Sequence, residues 1–260
     1  MSKKKNQKKK RGGDTLRTAI YALAIALFVR TFFVQAFRIP SGSMEDTLLI
    51  GDFLLVDKIT FGAKVPGTDW RLPGFRDPRR GDILVFKDPR TNRDYIKRCI
   101  ATGGETLELK DNVVFIDGQE IQEPYKAVKP VFGPTRKDFG PRTIPPEALF
   151  MMGDNRNNSQ DSRYWDALAP DRVVGRAFVL YWSTDPDGAP QFVRDLDDGL
   201  MKGFLQLVLG KPRLTRLGTW LAKDYSETYG LTAAGLPVPD RADFASAGGA
   251  DGEGAGSSTP

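Results

Sequence analysis

Between Thr18 and Phe37 the chain is apolar except for Arg30, Thr31 and Gln35. A run of this length matches the ~20 residues that a helix needs to cross a bilayer. It leads into Phe37-Arg38-Ile39-Pro40, where a cleavable leader would end in small residues, so it reads as an uncleaved anchor. Arg30 lies past the middle, within snorkelling reach of the far headgroups. Ahead of the anchor, Met1 to Arg11 carries six lysines and one arginine, too like-charged to pack and read as a solvated arm. By the positive-inside rule this arm is cytoplasmic and everything beyond Phe37 lies on the outer side. The chain is then expected in the cytoplasmic membrane, crossing it once, with membrane lipid as a partner.

Charge confirms that the arm is the exception. Residues 1–17 hold eight Lys and Arg against Asp14, a surplus of seven where the whole chain has only +5, so the remainder is slightly acidic. No basic domain face is left for nucleic acid. One cysteine, Cys99, permits no intramolecular disulfide, and with no histidine there is no plausible zinc site. No metal or other cofactor is expected, and nothing fixes an oligomeric state.

The 18 prolines and 27 glycines favour many turns, hence a mainly β chain. Strands are expected at Asp52–Phe61, Asp82–Lys87, Asp94–Ala101, Leu149–Met152 and Val173–Trp182, with a hairpin of Thr106–Lys110 and Val113–Ile116. Gly62–Arg80 reads as a surface loop and Glu123–Pro146 as irregular. Leu200–Leu221 reads as one or two short amphipathic helices at the membrane surface. The organisation expected is a cytoplasmic basic arm over 1–17, an anchor over 18–37, an extracytoplasmic β domain over 38–183, an amphipathic C-terminal region over 184–231 and a disordered tail over 232–260. Residues of about 105–146 would form a small inserted lobe.

The turn Pro40-Ser41-Gly42-Ser43 follows the anchor, with a fixed φ at proline and a permissive one at glycine, and makes Ser43 a candidate nucleophile. The absence of histidine excludes a Ser-His-Asp triad. The remaining base at neutral pH is a lysine that burial has brought to lose its proton. Lys97 lies inside the apolar strand Asp94–Ala101, where alternation puts it with Tyr95 and Cys99 on one face and Ile96, Arg98 and Ile100 on the other.

Four segments in order behind the anchor carry a resemblance: Phe37-Arg38-Ile39-Pro40-Ser41-Gly42-Ser43-Met44, Arg80-Gly81-Asp82-Ile83, Asp94-Tyr95-Ile96-Lys97-Arg98, and Gly153 through Arg163 (GDNRNNSQDSR). Together they resemble the motif boxes of bacterial type I signal peptidases over roughly 29–183. The resemblance implies a β fold of antiparallel sheets with a small inserted lobe behind one transmembrane helix, and cleavage of preprotein signal peptides after small residues of the Ala-x-Ala kind. It implies Ser43 as nucleophile and Lys97 as general base, with Ser159 orienting the lysine amine and Ser41 joining the Ser43 amide in an oxyanion hole. Phe37, Ile39, Met44, Leu48 and Ile96 match the pocket lining, and Asp161 with Arg163 a supporting ion pair. Two departures stand out: Ala101 to Glu105 replaces a Pro-Gly-Asp turn, and Asn157 replaces an aspartate. Three other functions compete: a Ser-Lys protease such as a self-cleaving repressor, an inactive anchored binding protein of the same fold, and a nucleic-acid binder using the lysine arm. The first would need a DNA-binding domain in place of the anchor, and the second would be expected to lack Ser43 or Lys97.

Overall fold

The computed structural model describes residues 3–131, 134–197 and 199–223. Helix α1 (Lys3–Phe32) takes in the lysine arm as well as the apolar run. Its stretch Thr15–Phe32 is apolar enough to cross a membrane, and none of it is buried against the rest of the chain. Eighteen residues at the helical rise span about 27 Å, close to a hydrocarbon core. The helix stops five residues before the end expected from sequence. Phe33 donates the last helical bond to the Val29 carbonyl, and Val34–Arg38 is strand β1. Apolar composition alone does not separate these two states, because β1 is itself half-buried. The helix thus feeds into the sheet with only Phe33 between them.

The elements then run β2 (Asp52–Asp57), β3 (Ile83–Lys87), β4 (Asp94–Thr102), β5 (Thr106–Lys110), β6 (Val113–Ile116), β7 (Gln119–Glu120), β8 (Phe139–Thr143), β9 (Leu149–Met152), α2 (Ser162–Trp165), β10 (Val173–Asp185), α3 (Gln191–Arg194), α4 (Leu200–Leu209) and β11 (Lys211–Pro212). The main sheet has seven strands in the order β1-β2-β10-β3-β4-β9, with β11 on β10. Its pairings are antiparallel. A second sheet, β7-β6-β5-β8, lies between β4 and β9 in sequence. The molecule is mainly β.

Local chemistry sets several boundaries. β2 ends at Asp57, short of the expected Phe61, because the Asp57 carboxylate accepts from the amides of Ile59 and Thr60 at 2.7 and 3.3 Å, folding the chain into a turn. Asp111 and Asn112, both at positive φ (44° and 65°), make the β5–β6 turn, the backbone that two-residue hairpins favour. β8, inside a stretch expected to be irregular, pairs Thr143 with Thr106 and Arg142 with Leu107.

Alternation along β3 and β4 builds a core on each face. Ile83 and Val85 join Ile39, Met44, Leu48 and Leu54 on one side, with Ile96 packed against them. Leu84, Phe86 and Cys99 join Met151 and Leu168 on the other, with Tyr95 against them.

The C-terminal region differs from its expectation. Of the stretch Leu200–Leu221 expected to be helical, Leu200–Leu209 is an α-helix, while Lys211–Leu221 returns to the sheet, where Leu180 and Leu221 donate backbone bonds to Thr219 and Phe178 at 3.0 and 2.8 Å. The cause is an ion pair hidden from local sequence pattern. Arg216 reaches the fully buried Asp52 at 2.6 Å, and Ser183 donates to the same carboxylate at 2.6 Å. Leu221 is 5% exposed and belongs to the core. The β domain therefore packs on past residue 183. The expected tail over 232–260, and 224–231 of the amphipathic region, lie outside the described residues.

Candidate active site

The segment after β1 is pinned before it turns. The Ile39 amide donates to the Asp52 carbonyl and the Gly51 amide to the Ile39 carbonyl, at 2.8 and 3.0 Å. Pro40 and Ser41 are exposed, Ser41 is extended (φ −135°, ψ 156°), and Gly42–Met44 forms a single 3-10 turn. A second chain segment holds that turn from outside. The Asn155 amide donates to the Ser43 carbonyl and its side chain to the Gly42 carbonyl, both at 3.1 Å. Gly153 makes the approach possible, since a Cβ there would lie 2.3 Å from Ser159 Oγ and 2.5 Å from the Ser43 carbonyl oxygen.

Lys97 arrives from the middle of β4. Its Nζ lies 2.6 Å from Ser43 Oγ, donates also to the Ile96 carbonyl at 3.0 Å, and sits 5.5 Å from the centre of the Tyr95 ring. Lys97 is 3% exposed and Ser43 7%. Burial is the main influence on the amine and lowers its pKa. Asp161, Asp154 and Asp88 pull it back up through space and Arg163 lowers it, leaving it at about 8. No carboxylate bonds to Lys97 among the described residues, yet three act on it at a distance. Asp161 and Asp154 are each neutralised by an arginine, which is why burial prevails.

Those arginine pairs frame the site. Arg163 takes Asp161 with two bonds of 2.8 and 2.9 Å, and its remaining nitrogen donors go to the carbonyls of Arg156 and Arg136. Asp161 also accepts from the amides of Gly153 and Arg163, so it shapes the turn as well as pairing. Arg98 grips Asp154 with bonds of 2.8 and 2.7 Å, and Thr47 adds a third bond at 2.6 Å. Arg156 pairs with Glu123. All three arginines are 1% exposed. The sequence reading gave neither Arg98–Asp154 nor Arg156–Glu123 a role. The available signal was the density of charge around apolar Leu149–Met152, for which a plain loop has no use.

A cleft of about 490 Å³ opens beside Ser43 and Lys97, lined also by Ser41, Tyr95, Ile96, Ser159, Asn157, Asn158 and Tyr164. Of the five residues matched to pocket lining, Ile96 alone lines it. Ile39, Met44 and Leu48 are at most 2% exposed and lie in the core beneath the turn, and Phe37 packs against that core. Ser159 shares the cleft with Lys97, but its Oγ is buried with no hydrogen-bond partner; the expected bond to the amine is not formed. Along Asp94–Lys97 the β4 edge away from β3 carries no strand among the described residues, because β9 pairs only from Arg98 onward. Cys99 is buried and its thiol pKa is pushed well up by burial, which leaves it inert.

A family model described as signal peptidase, peptidase S26, matches residues 13–182. The signal peptidase I of Pseudomonas aeruginosa is 36% identical over 200 residues, covering 64% of this chain and 70% of that protein. The signal peptidase I of Leptolyngbya laminosa is 35% identical over 177 residues, covering 65% and 79%.

Proposed function

The chain belongs to the signal peptidase family, peptidase S26, and from that premise we propose that Ser43 and Lys97 are the nucleophile and general base with which it cuts signal peptides from preproteins. It is a serine endopeptidase. The observation that carries the assignment is the 2.6 Å approach of a buried lysine amine to a buried serine hydroxyl in a chain without histidine.

The chemistry follows from proton position. With the amine neutral, the short contact runs with the Ser43 hydroxyl as donor, and Nζ takes that proton as Oγ attacks the scissile carbonyl. The new oxyanion meets the Ser43 amide and the Ser41 hydroxyl, donors whose worth lies in the tetrahedral intermediate rather than in the ground state. The Lys97 ammonium then returns its proton to the departing amine, leaving an acyl-serine. Water, deprotonated by the same amine, releases the mature protein's former leader and restores Ser43. Ser159, on the wall of the same cleft with its hydroxyl unpartnered, is the group assigned to steer the amine. The substrate lies extended along the open edge at Asp94–Lys97, where backbone groups are available to it, and a cleft walled by Tyr95 and Ile96 suits small side chains beside the cut.

The setting is proposed as the outer face of the cytoplasmic membrane, with the lysine arm inside. The exposed apolar face of α4, with Met201, Phe204 and Val208 at least 59% exposed, supports lipid contact beside the anchor, because Gln206 on its buried face accepts from Arg38 of β1. Protease added to spheroplasts should digest everything beyond the anchor; clipping of the arm alone would reverse the topology. Incubating the detergent-solubilised chain with a preprotein and sequencing the new N-terminus tests the activity. A single cut after an Ala-x-Ala-like site is expected, and intact preprotein would refute the reading.

A further inference from the structure

The end of the main sheet nearest the anchor is built from the start of β1, the end of β2, the starts of β10 and β4 and the end of β3. A cavity of about 520 Å³ opens there, on whose wall stand Lys58, Lys64, Arg71, Lys87 and Arg172. Two carboxylates, Asp94 and Asp171, share it, and Asp94 is already paired with Lys87 at 2.9 Å. Such a cluster is unexpected in a chain that is slightly acidic once the arm is set aside. Among the described residues Lys58, Arg71 and Arg172 form no ion pair. Arg71 donates to the carbonyls of Gly62 and Val173 at 2.8 and 2.6 Å. Lys58 donates to the Arg30 and Thr31 carbonyls at 3.2 and 3.3 Å, which ties the cavity to the last turn of α1. Burial, and then Arg30, hold the Lys58 ammonium below its ordinary pKa against the opposing pull of Asp94, so a further anion there would add to what Asp94 does.

The loop between Lys64 and Arg71 forms the partition to a second space. Those two residues bridge, and the Val65 amide donates to the Trp70 carbonyl at 3.0 Å. On the far side an apolar groove of about 450 Å³ runs between Val65, Trp70 and Leu72 of the loop and Phe28, Phe32 and Phe33 at the end of the anchor. One loop thus divides a cationic cavity from an apolar groove, and the groove's other wall is the apolar helix itself.

We propose that this loop seats one anionic phospholipid, its phosphodiester in the cavity beside Lys58, Lys64, Arg71 and Arg172 and an acyl chain in the groove between Trp70 and Phe28. The inference rests on the reading of α1 as a membrane span. Given that reading, both spaces lie beside the last turns of the helix, at the outer boundary of the hydrocarbon where indole rings such as that of Trp70 concentrate. A free phosphate would satisfy the cavity and leave the groove exposed; a signal peptide would fill the groove and leave Lys58, Arg71 and Arg172 without a carboxylate, with Lys64 held only by the exposed Asp69 at 3.3 Å. An anionic lipid answers both.

The test uses the full chain in detergent micelles, titrated with phosphatidylglycerol or phosphatidylcholine whose acyl chains carry bromine, a quencher of indole. The signal is the difference in quenching between the wild type and Trp70→Phe. Phosphatidylglycerol should quench Trp70 at lower mole fraction than phosphatidylcholine. Lys64→Gln with Arg172→Gln, checked for an unchanged circular dichroism spectrum, should weaken the phosphatidylglycerol response roughly thirtyfold, at the usual worth of two surface cations. Millimolar inorganic phosphate should leave it unchanged. Equal quenching by the two lipids, indifference to the charge changes, or displacement by phosphate or by a signal peptide would each overturn the proposal. Alkaline carbonate extraction of membranes carrying the double variant separates the two readings: retention supports the span whatever the lipid preference, and release refutes it.

Discussion

Lys97→Met lowers kcat/KM on a short signal-peptide substrate by roughly ten-thousandfold or more, the scale on which loss of one member disables a nucleophile–base unit. Ser43→Ala does the same, and the double variant is no worse than either, because the two act as one device. The geometry adds an expectation that an inert structural lysine would also meet and that separates stability from activity. Lys97 is fully buried and its pKa falls from 10.5 to about 8 on folding. A lysine whose pKa is lowered in the fold opposes folding below the folded pKa, and that penalty is relieved as pH rises from about 8 toward 10.5. Below pH 8 the penalty is on the order of 3 kcal/mol. Lys97→Met should therefore unfold at a higher temperature than the wild type at neutral pH, and the gap should close in alkali. Thermal midpoints of the two proteins at neutral and alkaline pH check the sign. A midpoint below the wild type's at neutral pH would mean that the ammonium is stabilised in the fold and cannot serve as a base.

The second large effect concerns the ion pair beneath the turn. Asp154→Ala takes from Arg98, 1% exposed, the carboxylate that neutralises its buried charge, a loss of about 3–5 kcal/mol. Most of a marginal domain's stability goes with it. Catalysis should suffer in the fraction that stays folded, since the Asn155 amide next in the chain holds the Ser43 carbonyl. Replacing both partners, Arg98→Met with Asp154→Leu, should recover much of the stability because no buried charge is left unpaired. Urea midpoints of the two variants measure this. A single variant as stable as the wild type would show that Arg98 finds water or another carboxylate when Asp154 is lost.

Particular residues show why part of this was legible beforehand. Strands β3, β4, β9 and β10 announce themselves by short apolar, β-branched or aromatic runs between turn residues, a local property. β1 does not, because its apolar residues continue those of the anchor and no turn separates them. β8 is masked by Gly140 and Pro141, and only its partner β5 makes it a strand. The return of Lys211–Leu221 to the sheet depends on Arg216 meeting Asp52, 164 positions apart, a pairing that composition cannot reveal. At the site, the missing histidine and the apolar surroundings of Lys97 led to the lysine, and the glycine turn led to Ser43. Cleft lining was less legible: Met44 and Leu48 have the apolar character that a pocket requires, but the same character drives them into the core. Ser159 illustrates the remaining gap, since the motif names the residue while its rotamer decides whether the hydroxyl meets the amine.

All of this depends on one physical step, the deprotonation of Lys97 near neutral pH. With the pKa at about 8, roughly a tenth of the enzyme holds a neutral amine at pH 7, and the share falls tenfold for each unit below. The direct measurement is kcat/KM for a short Ala-x-Ala peptide from about pH 5 to pH 10, which reports the base in the free enzyme. The account predicts a limb that rises tenfold per pH unit, bends near pH 8 and stays level above about pH 9. A rate that falls from an acid optimum, or one that keeps climbing past pH 10 as an unperturbed lysine would, would contradict it.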